Sequence, residues 1–132
     1  MKASFFDMQD GTNPLNGRVV EHDTELAEIL DDLRARTPFL VELTSENGNC
    51  LLIGIGGRVG CVQHSRADAE PPYLMALAAI PNSTEEFVEF LMGDTPSLVA
   101  ARYILPFEDV KEIAVAFLHT GQCTQAVAWE EI

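Results

Sequence analysis

Basic residues are scarce in this chain. Eight lysines and arginines stand against 21 aspartates and glutamates in 132 residues, a formal net charge of −13. That charge repels phosphate backbones and anionic bilayers wherever salt leaves it unscreened, so no direct contact with nucleic acid or membrane is expected. Cysteine is scarce too: three residues with no CxxC pair make no disulfide framework and suit a reducing cytosol. No stretch approaches the roughly 18 uninterrupted apolar residues of a spanning helix. Met1-Lys2-Ala3-Ser4-Phe5-Phe6-Asp7 also lacks the apolar run of a signal peptide, so a cytoplasmic protein is expected. Repeats, low-complexity segments and boundary signals are missing, which leaves residues 1–132 as a single domain.

What is present is a globular composition, 47% hydrophobic and 22% charged, able to bury a core without disulfides or a metal. The clearest pattern runs from Leu98 to Trp129 and reads strand, helix, strand. An apolar run from Leu98 to Leu105 stops at Pro106. Phe107, Val110, Ile113, Ala114 and Phe117 then recur at helical spacing, with Glu108, Asp109, Lys111 and Glu112 on the other face. Glu108 and Asp109 suit the positive end of the helix dipole, Gly121 is placed to cap the other end, and Gln125 to Trp129 reads as a strand.

Earlier in the chain, Ala3 to Met8 predicts a short edge strand, followed by a turn-rich connector to Gly17. Leu26, Ile29, Leu30 and Leu33 form the stripe of a first helix, with Asp23 or Thr24 as N-cap and Arg34 and Arg36 closing it before Pro38. Its outer face, Glu25, Glu28, Asp31 and Asp32, reads as solvated. From Phe39 the period becomes two. Phe39 to Thr44 and Cys50 to Ile55 flank an Asn47-Gly48 turn, and a second hairpin turns at Gly56-Gly57 and returns through Arg58 to His64. Tyr73 to Ala79 predicts a strand, Pro81-Asn82-Ser83-Thr84 a break, and Glu85 to Met92 another strand. The class is α+β: a curved antiparallel sheet of about six or seven strands with two main helices.

Enzyme chemistry finds little support. Cys61 and His64 stand three apart in a strand, so their side chains point to opposite faces and make a poor nucleophile and base. The spacing of Cys50, Cys61, Cys123 and His64 matches no zinc pattern. Gly54, Gly56, Gly57 and Gly60 lead into a strand and not a helix, which reads as a hairpin turn and not a phosphate loop. Glu85-Glu86 and Glu130-Glu131 lack a supporting motif for acid–base work. His119 suits the negative end of the second helix and His22 the start of the first. A non-enzyme with no cofactor and no metal is expected.

Five stretches carry a resemblance: Gly60-Cys61-Val62-Gln63-His64, Pro71-Pro72-Tyr73-Leu74-Met75-Ala76, Phe90-Leu91-Met92-Gly93-Asp94-Thr95-Pro96, Leu105-Pro106-Phe107-Glu108-Asp109-Val110 and Ala128-Trp129-Glu130-Glu131-Ile132. Over residues 39–132 the chain resembles actinobacterial members of the Imm-one immunity proteins of polymorphic toxin systems. The resemblance implies an antitoxin that binds and silences a cognate toxin, often a nucleic-acid deaminase, and it carries over no catalytic residue.

A rigid acidic plug suits the basic cleft of such a toxin, a deaminase or nuclease. Anchors at such an interface are usually aromatic and ringed by charge. The candidate partner-binding residues are therefore Tyr73 with Asp68 and Glu70, then Glu86, Glu89 and Asp94, and Trp129 with Glu130 and Glu131. Simpler readings stay open: Trp129 as core, and acidity as a solubility device. The alternative function is a non-enzymatic small-ligand-binding or structural module, with a pocket between the sheet and the helix of 107 to 119.

Overall fold

The computed structural model describes residues 1–80 and 86–132. The break read at Pro81-Asn82-Ser83-Thr84, and Glu85 of the Glu85-Glu86 pair, lie outside the described residues. The chain runs β1 (Ala3–Asp7), β2 (Val19–Val20), α1 (Asp23–Leu33), β3 (Phe39–Ser45), β4 (Cys50–Gly56), β5 (Val59–Ser65) and β6 (Leu74–Ala76). It continues with β7 (Phe87–Met92), β8 (Thr95–Ala100), a 3-10 turn (Ala101–Tyr103), β9 (Leu105–Pro106), α2 (Phe107–Thr120) and β10 (Trp129–Glu131). The sheet order is β10-β6-β5-β4-β3-β1-β2, with β9 on β5, and β7 on β3 carrying β8 beside it. All pairings are antiparallel except the single parallel contact of β3 with β7 at Phe39 and Leu91.

The α+β class with two helices holds. Among the described residues the sheet has ten strands, more than the six or seven expected, because two-residue pieces such as β2 and β9 pair without an alternating pattern to announce them. Other expectations also differ, and of the strand expected from Tyr73 to Ala79 only Leu74–Ala76 is extended and paired. The apolar run from Leu98 is not one strand: β8 ends at Ala100, whose successor donates its N–H to the Glu86 carbonyl at 3.0 Å and opens the 3-10 turn. Tyr103, Ile104 and Leu105 are all buried, so the run is apolar without being extended throughout. The last strand begins at Trp129 and not at Gln125, since the Ala126 N–H goes to the Thr124 hydroxyl at 3.2 Å. Strand β1 is flanked by β3 and the short β2 and so is not the outermost.

The hairpin turn after Ser45, the turn at Gly57 (φ 66°) and the α2 cap at Gly121 (φ 66°) fall where the sequence placed them. Gly121 donates to the Phe117 carbonyl at 2.7 Å, and its own carbonyl accepts the amides of Asn47 and Asn49 at 3.1 and 2.8 Å. The N-terminus of α1 departs from expectation: His22, not Asp23 or Thr24, is the N-cap, and no side chain bonds there.

Alternation decides the layers. Phe39, Val41, Leu43, Leu51, Ile53, Ile55 and Val62 point to the side covered by α1 and α2, where they meet Leu26, Leu30, Phe107, Val110, Ile113 and Phe117. The intervening residues point the other way. There Leu40, Cys61 and Met75 join Phe90, Tyr103 and Ile104, under the β7–β8 hairpin. Gly54 of β4 makes this second layer possible. A Cβ on Gly54 would stand 2.6 Å from the Cys61 sulfur and 2.8 Å from the Phe90 ring, so the missing side chain is the seat of that ring.

Gly54→Ala is therefore expected to lower stability by about 1–3 kcal/mol through overpacking, read as a lower urea midpoint at unchanged slope. A wild-type midpoint would mean that Phe90 does not rest on the sheet.

Candidate partner-binding surface

Six of the eight lysines and arginines have a carboxylate or aromatic-ring partner within the chain. Arg36 reaches the wholly buried Asp7 at 2.6 Å while its guanidinium lies 3.8 Å from the centre of the Phe39 ring. Burial would raise the Asp7 carboxyl, but Arg36, Asn13 and the N–H groups of Asp10 and Gln9 outweigh it and hold it below its usual range. Arg34 stacks 4.0 Å from the centre of Phe107 and donates to the Gly57 carbonyl at 2.8 Å. Arg18 pairs with Glu25. Lys111 reaches Asp31 at 3.1 Å and Glu108 at 3.4 Å, and His119 meets Asp23 at 2.6 Å, so two of these contacts stitch the antiparallel helices together. The acidic helix layer is partly neutralised by its own contacts.

The nine nominated residues fall into two groups. Asp68, Glu70, Tyr73, Trp129, Glu130 and Glu131 lie at the β6–β10 end of the sheet, where Glu131 pairs with Leu74 and Ile132 donates to the Tyr73 carbonyl at 2.9 Å. Several have internal partners. Arg66 pairs with Asp68 at 2.6 Å, and the Tyr73 hydroxyl donates to the Ala69 carbonyl at 2.6 Å. Glu130 accepts from the Tyr103 hydroxyl and from Arg102. The Tyr103 hydroxyl first, and Arg102 after it, hold the Glu130 carboxyl below its ordinary range. Trp129 turns its ring toward the helix layer, and its indole N–H donates to the Thr124 carbonyl at 2.9 Å.

Glu86, Glu89 and Asp94 form the second group, on and beside the β7–β8 hairpin. All three are exposed, and among the described residues none has a cationic partner. Alternation sends Val88 and Phe90 into the core beneath and leaves Phe87 and Glu89 on the outer face. There Glu89 pairs with Leu98 and Phe87 with Ala100. Phe87 is 48% exposed and Leu98 61%. The sequence reading passed over both. A signal for this surface was present: between Arg66 and Arg102 the chain contains no lysine or arginine.

Cys61 is buried among Leu40, Met75 and Phe90, and burial pushes its thiol up to about 12, far from a reactive thiolate. His64 faces the opposite side, its ring edge-on to Phe117 and Trp129 with centroids 6.1 and 6.5 Å away. The expected separation of Cys61 and His64 is what the strand produces. The space between sheet and α2 is filled by Leu51, Ile53, Val110, Ile113 and Phe117, all at most 2% exposed. What remains is a small surface concavity beside α2, lined by Asp109, Glu112, Ile113, Thr124, Ala126 and Val127. Among the described residues no helix is long and apolar enough to cross a membrane.

A protein-family model described as Immunity protein Imm1 matches residues 16–131, extending the likeness toward the N-terminus beyond residue 39. No curated protein matches the chain.

His64 is 5% exposed, and among the described residues neither ring nitrogen has a hydrogen-bond partner. Burial lowers its pKa, so below the ordinary histidine value of about 6.5 the unfolded chain binds the proton more readily than the native one. Stability is expected to be full above that pH and to fall as pH drops beneath it. His64→Leu should flatten the melting temperature between pH 7 and about 5.5 relative to wild type, measured by circular dichroism. An equal fall in both would assign the loss to other groups.

Proposed function

The chain belongs to the Imm1 family of immunity proteins, and from that premise we propose that it binds and silences a cognate toxin of a polymorphic toxin system. The toxin acts on nucleic acid, as a deaminase or nuclease, and therefore presents a basic, anion-seeking cleft. This chain blocks that cleft in the cytoplasm, without catalysis, cofactor or metal. The observation that carries the reading beyond the family is the division of charge. Six of the eight lysines and arginines are held by carboxylates or aromatic rings of the chain itself, while Glu86, Glu89 and Asp94 on and beside one hairpin have no cationic partner among the described residues. Uncompensated carboxylates on a rigid support imitate a phosphate run and steer a basic partner into contact.

The nominated carboxylates contribute unequally. Glu70, Glu86, Glu89, Asp94 and Glu131 remain without a cation among the described residues, whereas Asp68 and Glu130 have Arg66 and Arg102 beside them. Tyr73 contributes through ring surface, because its hydroxyl is bonded within the chain, whereas the Trp129 ring is packed against the core and holds the strand that carries Glu130 and Glu131. The filled interior gives no support to a small-ligand module.

Co-expression with the protein encoded by the adjacent reading frame is expected to yield a stable complex. Its affinity should drop by at least about tenfold between 50 and 200 mM salt if charge mimicry contributes, as read by titration calorimetry. No complex would remove the antitoxin reading, and a salt-independent one would remove the mimicry.

A further inference from the structure

An interface needs more than charge. Interface energy concentrates in a few apolar or aromatic anchors that become fully desolvated, and a charged rim contributes mainly approach rate and register. The described large hydrophobics that remain well exposed are Met1, Phe6, Val19, Ile80, Phe87, Met92, Leu98 and Ile132. None lies in α1 or α2, so the acidic helix layer has charge without anchors. Phe87 and Leu98 are different. They stand on adjacent strands, two residue pairs apart in register and so on the same face, with Glu89 directly opposite Leu98 and Glu86 preceding Phe87 in the chain. Asp94 occupies the turn that joins the strands, after Gly93 (φ 61°).

The support beneath is firm. Phe90 is wholly buried against the sheet, the Leu91 N–H bonds to the Pro38 carbonyl at 2.9 Å, and the Gly93 N–H bonds to the Met8 carbonyl at 2.9 Å. The hairpin thus presents its outer face without having to order itself on binding, which removes one of the usual costs of association. Its charge selects the occupant. With no lysine or arginine between Arg66 and Arg102, a second copy of this acidic chain would bring like charge against like, whereas a cationic surface with an apolar hollow complements it.

We propose that the outer face of the β7–β8 hairpin is the docking face for the basic toxin, with Phe87 and Leu98 as anchors and Glu86, Glu89 and Asp94 as the steering rim. The inference rests on the antitoxin reading and names the surface that performs it. Anchor and rim have separable kinetic signatures. Phe87→Ala with Leu98→Ala acts after contact and raises the dissociation rate, leaving association and its salt dependence unchanged. Glu86→Gln, Glu89→Gln and Asp94→Asn together act before contact, slowing association and weakening its salt dependence. Each altered side chain is solvent-exposed, so folding is retained and thermal unfolding serves as the control.

The experiment is surface-based kinetics with wild-type chain, both variants and a helix-layer control, Glu28→Gln with Asp32→Asn, against the protein encoded by the adjacent frame. The anchor variant is expected to dissociate about 30-fold faster or more. The rim variant should associate about tenfold more slowly, and the helix-layer control should match wild type. Wild-type kinetics in both hairpin variants would overturn the assignment while leaving the antitoxin reading intact. A wild-type chain that captures nothing would sink that reading instead. Light scattering on the free chain adds one more arm: if the anchor variant only converts a dimer to a monomer and capture is unchanged, the face belongs to a second copy and the proposal fails.

Discussion

The structure depends on one constraint: the central strands β3, β4 and β5 carry apolar side chains on both faces, so both faces must be covered. A half-solvated antiparallel sheet would alternate apolar with polar residues. Here Leu40, Cys61 and Met75 continue the apolar character on the face away from the helices. Two amphipathic helices cover one side. On the other, the β7–β8 hairpin and the 3-10 turn fold back over the sheet, and Gly54 provides the gap into which Phe90 fits. A hairpin pressed down by its inner face necessarily presents its outer one, so the requirement that stabilises the core also sets out Phe87, Glu89 and Leu98.

Charge follows a related logic. A chain with 21 acidic and eight basic residues cannot neutralise itself, and where it places its few cations determines where the negative field survives. Arg36 is committed to the buried Asp7, Arg34 to the Phe107 ring and Gly57, and Lys111 to the contact between helices. These placements serve packing. Their by-product is a hairpin whose carboxylates face no cation among the described residues.

Much of this was legible in the sequence, and the failures have physical causes. Period-two alternation through Phe39–Ser45 and Cys50–Gly56, the Asn47-Gly48 turn and the helical stripe ending at Gly121 are local signals, and local signals survive folding. The Leu98–Leu105 run misled because a 3-10 turn that buries Tyr103 beside Ile104 and Leu105 is as apolar there as a strand. Two-residue strands such as β9 exist only because β5 is there to pair with Leu105 and Pro106. The candidate surface was half legible. Glu86, Glu89 and Asp94 were named from charge, but exposure of Phe87 and Leu98 depends on which hairpin face the sheet takes, and alternation alone is symmetric. Arg66 and Arg102 beside Asp68 and Glu130 were equally invisible, since the second pair joins residues 28 positions apart.

The amides of Asn47 and Asn49 close the end of α2 by donating to Gly121, 74 and 72 positions further along. A cap supplied from so far away in sequence cannot guide the helix while it is nucleating. The bond of the Gly121 N–H to the Phe117 carbonyl closes the last turn locally, while the Gly121 carbonyl is satisfied only when the first hairpin and the helix end are both in place, which ties the two together in the native state.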